Sequence, residues 1–409
     1  MEIIADLQVH SKYARATSSA LSITNLEKWG AIKGLNLIGT GDFQHPKHRQ
    51  EIDETLEEDE NGILWTKERK VAFLWQTEVS LMFSQGGKRR AVHLLIFSPN
   101  KEVTNKITSY LASKGRLDYD GRPIFGISCM QLVHDLKQIS EMIEIIPAHC
   151  MTPWFGIFGS KSGFDSLEEC FGEEVRHIHA VESGMSADPP MLWRFKEIDN
   201  KNVRVVSFSD AHSFWPWRLG REATIFELEE LGYSNIIRAI RTGHGLKATI
   251  ETPPAYGRYH YDGHRNCGFS SSPEETKKLK GICPVCKNPL TIGVDYRVEE
   301  LAVHPKGHTP ENAPEFYELL PLHEVIALHL NSQLNSKKTW KLYNELIENF
   351  GTEFNVLLRA SEEELARKDV DAKLIELILM NRKNKLKIKP GFDGEYGRVE
   401  MPKKQATLF

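Results

Sequence analysis

The 409-residue sequence has only six cysteines, too few and too scattered for a disulfide framework in a chain of this length. It has no apolar run approaching the roughly 18–20 residues that a membrane span requires. The opening residues, MEIIADLQVH, lack the basic-then-apolar order of a secretory signal, so a cytoplasmic location is expected. There is no excess of positive charge either: the net charge is −4, which excludes a generally basic nucleic-acid binder but not one with a local basic patch. No internal repeat or long low-complexity segment is present. What remains is a globular composition, long enough for two or three domains.

Residues 1–250 alternate short apolar runs (IIADLQV, LNLIGTG, KVAFLWQTEVS, RAVHLLIF, EIIPAH, IHAVES, VRVVSFSD, EATIF) with longer amphipathic stretches. That alternation predicts an α/β domain with a largely parallel sheet, open or closed as a barrel. Residues 251–310 are rich in Gly, Pro, Cys and His and predict a small metal-stapled module. Residues 311–400 contain apolar residues at helical spacing and predict a helical, DNA-contacting region, followed by a polar tail at 401–409. The segment PGFDGEYG at 390–397 is expected to be irregular. The acidic run 51–60 reads as a solvated helix face, and the basic run RKNKLKIK at 382–389 as a surface with phosphates within its reach.

Two constellations carry chemistry. In DLQVH, Asp6, Gln8 and His10 alternate with apolar residues, so a two-residue period puts them on one face. Another apolar run ends in Ser209-Asp210-Ala211-His212. Between them, Asp42, Glu78, His93, His149 and Glu182 each end or interrupt an apolar run. Any one of these is compatible with an ordinary core or surface role. Together they predict a hydrolytic site for two or three divalent metals, with oxygen and imidazole ligands suited to Zn, Mn or Fe. The second constellation, His264-x2-Cys267-x15-Cys283-x2-Cys286, has zinc-knuckle spacing; it predicts a closed structural Zn site, with His260 a rival for the histidine position.

The ordered set DLQVHS, GTGD, the Glu78 strand, His93, PAH ending at His149, and SDAH resembles the motifs of PHP phosphoesterases. The resemblance covers about residues 1–225 and implies a distorted (β/α)7 barrel that hydrolyses phosphate esters with metal-activated water. It implies metal ligation by His10, Glu78, His93, His149, Asp210 and His212, with Asp210, His212 and Glu78 closest to the chemistry. Two positions depart from the pattern: Gln8 and Phe43 stand where the family has histidines, so two metals are expected ahead of three, with Mg also a candidate. Over nearly the whole chain, DLQVHSKYARATS, GTGDFQHP, YHYDGHRNC…CPVC and PGFDGEYG resemble the endonuclease Q family. That resemblance implies cleavage of DNA 5′ of uracil, hypoxanthine, xanthine and abasic sites, with the damaged base extruded. The rivals are a small-molecule PHP phosphatase and a non-catalytic DNA-binding scaffold.

Further residues are candidates for DNA contact. Trp154 and Phe155 (with Phe158) follow His149, and Trp215 and Trp217 (with Phe214) follow His212. They offer rings for stacking on a base or for packing. The loop 183–190, beginning at Ser183, follows a ligand-bearing strand and is placed to line a nucleotide pocket. Residues 346–378 have the rhythm of a helix-hairpin-helix without its glycines, and bundle packing is the favoured reading. At the C-terminus, Gln405 and Leu408, followed by Phe409, have the anchor spacing of an incomplete sliding-clamp peptide, and a disordered polar tail is the favoured reading.

Overall fold

The computed structural model describes residues 1–199 and 203–400. The clamp-peptide residues Gln405, Leu408 and Phe409 therefore lie outside the described residues.

The strand Glu2–Asp6 is the centre of an eight-stranded sheet. It pairs parallel with Leu37–Gly39, which pairs parallel with Ala72–Leu74. On its other side it pairs antiparallel with Ala223–Glu227, which pairs antiparallel with Leu246–Glu251. A four-stranded sheet runs Ile124–Phe125, Gln76–Gln85, Lys88–Phe97, Glu144–Pro147. A parallel pair, Ala180–Glu182 with Arg204–Val206, lies between. The fold is thus mixed α/β, not largely parallel. Pairing among the described residues gives separate sheets, not one continuous parallel ring.

The main source of the difference is one turn. KVAFLWQTEVS is split between two sheets: Ala72–Leu74 stays in the large sheet, while Gln76–Gln85 and Lys88–Phe97, which holds RAVHLLIF, are the arms of a single long antiparallel hairpin. Gly86 and Gly87, with φ of 59° and 72°, make its two-residue turn. Two positive φ values in sequence are the geometry that matches strand twist in such turns.

Helices pack where the periodicity placed them. Ile23–Lys33 starts at Ser22, whose hydroxyl accepts from the Asn25 amide, and stops at Gly34 in the left-handed region. The C-terminal part contains Leu322–His329, Lys337–Phe350, Glu362–Arg367 and Ala372–Arg382. The last two are joined by a short turn through Asp369, and their apolar faces are buried against the other helices. Arg382 is not free for phosphates: its guanidinium caps the carbonyls of Val356, Leu357 and Ala360. The lysines at 383, 385, 387 and 389 are exposed.

One segment boundary differs from expectation. Glu315–Glu318, assigned to the helical region, pairs parallel with Leu246–Glu251 and so extends the large sheet. PGFDGEYG is irregular, as expected, with turns and isolated bridges but no helix or strand. It returns to the Cys/His module, where Gly391 accepts from the Tyr261 amide and Asp393 accepts from the Arg265 amide. Among the described residues no helix is long and apolar enough to cross a membrane.

Candidate metal centre and its pocket

The side chains predicted to bind metal converge from segments spread over residues 8–212. Gln8 and His10 follow the first strand, which an isolated bridge between Val9 and Ala211 ties to SDAH. Glu78 and His93 sit on the two arms of the hairpin; His149 lies just beyond the strand Glu144–Pro147. They form two groups, His10/Asp210/His212 and Glu78/His93/His149. Within each, the ligand atoms lie within 4.8 Å of one another.

Glu78 joins the groups. Its Oε1 is 2.8 Å from His93 Nδ1 and 3.7 Å from His149 Nε2, while its Oε2 is 3.2 Å from His10 Nε2. His10 Nε2 is also 3.1 Å from Asp210 Oδ1. One carboxylate with an oxygen in each imidazole-bearing group is the arrangement that bridges two cations. Burial raises the Glu78 carboxyl, but Arg122 and the surrounding histidines outweigh it and hold it well below the usual range. Burial drives His93 down to about 3, so its ring is a neutral donor of a lone pair.

Asp42 and Glu182, also expected as ligands, lie outside these two groups and hold other partners. Asp42 Oδ1 is 3.1 Å from His10 Nδ1, and its Oδ2 accepts from the Ser11 amide and hydroxyl, each at 2.6 Å. It fixes the His10 ring so that Nε2 faces the centre, the usual service of a carboxylate behind a ligating histidine. Glu182 accepts from the backbone amides of His149, Gly184 and Phe208. Its carboxyl, pushed up to about 7 by burial against the pull of His149, holds backbone in place. Neither role is visible from sequence, because each depends on which donors folding brings to the carboxylate.

Gln8 is fully buried; its Nε2 donates to Glu78 Oε2 at 3.0 Å, and its Oε1 has no partner. An orphaned buried oxygen beside this donor set is what a cation site would leave. Phe43, by contrast, is core, packed edge-on against Trp75. Three residues of the site region, Asp42, His149 and Asp210, have positive φ (29°, 30° and 50°), strained conformations for residues with a side chain.

The aromatic candidates divide. Trp154 is exposed and meets Tyr259 edge-on. Phe155 stacks on His93 at 4.3 Å between centroids, so one of its faces is taken. Trp215 and Trp217 stack on each other at 5.5 Å and pack against Trp340; a packing role accounts for both, and neither lines the pocket. Ser183 is buried, its hydroxyl donating to Glu251 Oε2 at 2.9 Å, so the DNA contact expected of it gives way to an interior role.

Beside Asp210, His212 and His149 lies a cavity of about 460 Å³ whose remaining wall includes Arg218, Arg221, Arg258, Tyr259 and Tyr396. Sequence reasoning missed these five residues and also Arg122, whose Nη1 is 3.2 Å from Glu78 Oε1. The Arg122 loop is tied down by Gln44 Nε2 donating to Gly121 O at 2.6 Å and by Asp120 accepting from the Arg122 amide at 3.1 Å. Two signals for the pocket were available: YHYDGH and PGFDGEYG, which carried the family resemblance, supply Tyr259 and Tyr396, and the loop 183–190, expected to line a pocket, does so through Gly184, Met185 and Ser186.

In the second cluster, His264, Cys267, Cys283 and Cys286 place their ligand atoms within 4.8 Å of one another. His264 Nδ1 is 3.1 Å from Cys267 Sγ and 3.3 Å from Cys286 Sγ. His264, not its rival His260, belongs to this group. The set is tetradentate and fits a closed Zn site.

Comparison with known proteins adds to this geometry. Residues 321–385 match the family model described as the MJ0043 C-terminal domain. The chain is 34% identical over 256 residues to the uncharacterized protein MJ0043 of Methanocaldococcus jannaschii, covering 61% of this chain and 31% of that protein. It thus spans about a third of that relative's length. It is 27% identical over 420 residues to the uncharacterized protein YqxK of Bacillus subtilis, covering 98% of this chain and 99% of that protein. The crystal structure of a lesion-specific endonuclease Q from Pyrococcus furiosus superposes with a TM-score of 0.88 at 29% identity, covering 100% of this chain and 98% of that one. An endonuclease Q complex with a 27-mer duplex carrying an abasic lesion at its active site matches with the same values.

Proposed function

We propose that this chain, which has the endonuclease Q fold from end to end, is a DNA repair endonuclease that hydrolyses the phosphodiester on the 5′ side of a damaged nucleotide. The observation that carries the reading is Glu78, one oxygen in each of two imidazole-bearing groups whose members His149, Asp210 and His212 line a cavity large enough for an extruded nucleotide. His10, Glu78, His93, His149, Asp210 and His212, with Gln8 beside them, would hold two divalent cations (Zn, Mn or Mg) within a PHP-type barrel. Such cations lower the pKa of water and neutralise charge on a phosphate. Asp42 and Glu182 keep His10 and His149 aimed. Arg122 offers a guanidinium where the phosphate oxygens would sit, and its fork suits them.

Arg218, Arg221 and Arg258 would attract the phosphates flanking the lesion, while Tyr259 and Tyr396 offer rings to the extruded base. Uracil, hypoxanthine, xanthine and abasic sites are the lesions this reading predicts. The Cys/His module, which Zn on His264, Cys267, Cys283 and Cys286 would hold closed, presents the Tyr259 side of this cavity. The working division is catalysis in 1–250, zinc-stapled support in 251–310 and helical DNA contact in 311–400.

The test is incubation with end-labelled duplexes carrying one uracil, hypoxanthine or abasic site, with Mg or Mn. A single nick 5′ of the lesion, absent from undamaged duplex, is expected. Hydrolysis of a generic phosphomonoester without any DNA cleavage would replace this reading with a small-molecule phosphatase, and DNA binding without cleavage would replace it with a scaffold.

A further inference from the structure

Asp210 and His212 lie at the start of a loop, 209–221, that must hold a strained residue in place. Asp210 has φ of 50°, a conformation that persists only when its surroundings over-determine it. The two ends of the loop are closed by one residue: Asp6 accepts from the Ser209 amide at 2.9 Å and from the Gly220 amide at 2.8 Å. Arg221 adds two bonds to the Ser209 carbonyl, at 3.1 and 2.9 Å.

The apex is held from elsewhere. Lys33 Nζ, at the end of the helix Ile23–Lys33, donates to the Pro216 carbonyl at 2.7 Å. Its stem lies against Gly220, where a Cβ would come within 2.9 Å of Lys33 Cγ; Gly220 has φ of 63°, so both space and backbone call for glycine. The counter-charge comes from the C-terminal helices: Glu353 Oε1 is 2.7 Å from Lys33 Nζ. Glu353 also accepts from the Leu322 amide and the Tyr343 hydroxyl, each at 2.9 Å. Lys33 and Glu353 are 1% and 0% exposed. Around this pair, Trp340 meets Trp215 and Trp217 at 5.6 and 5.7 Å, and His323 meets Trp217 at 4.7 Å.

A buried ion pair is a poor device for stability alone, because desolvating two charges offsets most of their attraction. This pair does something a leucine could not: it sets a hydrogen-bond donor on the apex carbonyl of the loop that carries Asp210 and His212. We propose that the helices of residues 321–385 are a working part of the nuclease centre: Glu353 holds Lys33, and Lys33 is the positioning residue that fixes loop 209–221. This rests on the endonuclease reading for its effect on cleavage, but not for its effect on the loop.

The test compares wild type with the double variant Lys33→Met/Glu353→Leu, which removes both charges and keeps apolar volume, and with Glu353→Gln. Three readouts are taken: hydrogen exchange by mass spectrometry, Mn binding by calorimetry without DNA, and single-turnover cleavage beside gel-shift affinity. In the double variant, faster exchange confined to 209–221 and weakened Mn binding are expected, with DNA affinity reduced far less than cleavage, since Arg218 and Arg221 of the same loop face the cavity. Cleavage should fall about 10²-fold, the cost of displacing reacting groups by about an ångström. Wild-type exchange in 209–221, uniformly faster exchange throughout the chain, or faster loop exchange with wild-type cleavage would each overturn the proposal. If wild type cuts no lesion duplex, the endonuclease reading fails, while exchange and Mn binding still decide whether the helices fix the loop.

Discussion

Asp210→Asn changes one atom and one charge at the most crowded point of the site. Asp210 Oδ1 is 3.1 Å from His10 Nε2 and 3.7 Å from His212 Nδ1. Although burial alone raises its carboxyl, His212 and His10 outweigh this and hold it ionised. Asparagine is nearly isosteric and tolerates the left-handed region that φ of 50° requires, so the loop should keep its shape. What is lost is a full negative charge among cationic partners. At a separation of about 4 Å and an effective dielectric of about 20, a unit charge pair is worth about 4 kcal/mol. At about 1.4 kcal/mol per tenfold, that is about 10³ in rate. DNA affinity, which rests mainly on phosphate contacts, should change far less. The assay is single-turnover cleavage of a hypoxanthine-containing duplex, with gel-shift titration alongside. Cleavage within a few-fold of wild type would refute the reasoning and remove SDAH from the metal centre. Loss of DNA binding in parallel with cleavage would show that Asp210 shapes the binding surface instead.

Other perturbations probe other parts of the molecule. Cys283→Ser and Cys286→Ser should each lower zinc content by about one atom per chain and lower the melting temperature, because binding energy at a closed site is folding energy; unchanged metal content would contradict the assignment. Asp188 and Glu318 share a hydrogen bond, and burial lifts Glu318 to about 8 and Asp188 to about 6. A carboxyl raised in the folded state contributes stability below its unfolded value that is lost as pH rises through the folded one. Melting temperature should therefore fall between about pH 5 and pH 8 through this pair. Glu318→Gln should flatten that fall, and an unchanged pH profile in the variant would exclude the pair as its source. Deleting residues 403–409 should abolish co-elution with a sliding clamp if Gln405, Leu408 and Phe409 anchor it, and failure of the full chain to co-elute would end that idea.

Features fixed by short spacing were legible in the sequence. The Cys/His set is written in two knuckles, and local turns bring each pair of ligands together whatever surrounds them. The candidate ligands of DLQVH and SDAH were legible for a similar reason: polar groups at the ends of otherwise apolar runs must find partners. Roles set by distant partners were not legible. Whether a buried carboxylate binds a cation or backbone amides depends on donors far along the chain, so Asp42 and Glu182 looked the same as Glu78. The tryptophans after His212 carry no mark of which helix will cover them, and Trp340, more than 120 residues away, decides it. Arg122 and the pocket arginines stand in loops without periodicity, where only tertiary hydrogen bonds fix direction. Sequence thus determined which chemistry the chain carries. The fold decided which residues touch the reacting groups and which only hold them, because burial and hydrogen bonding are properties of neighbours in space.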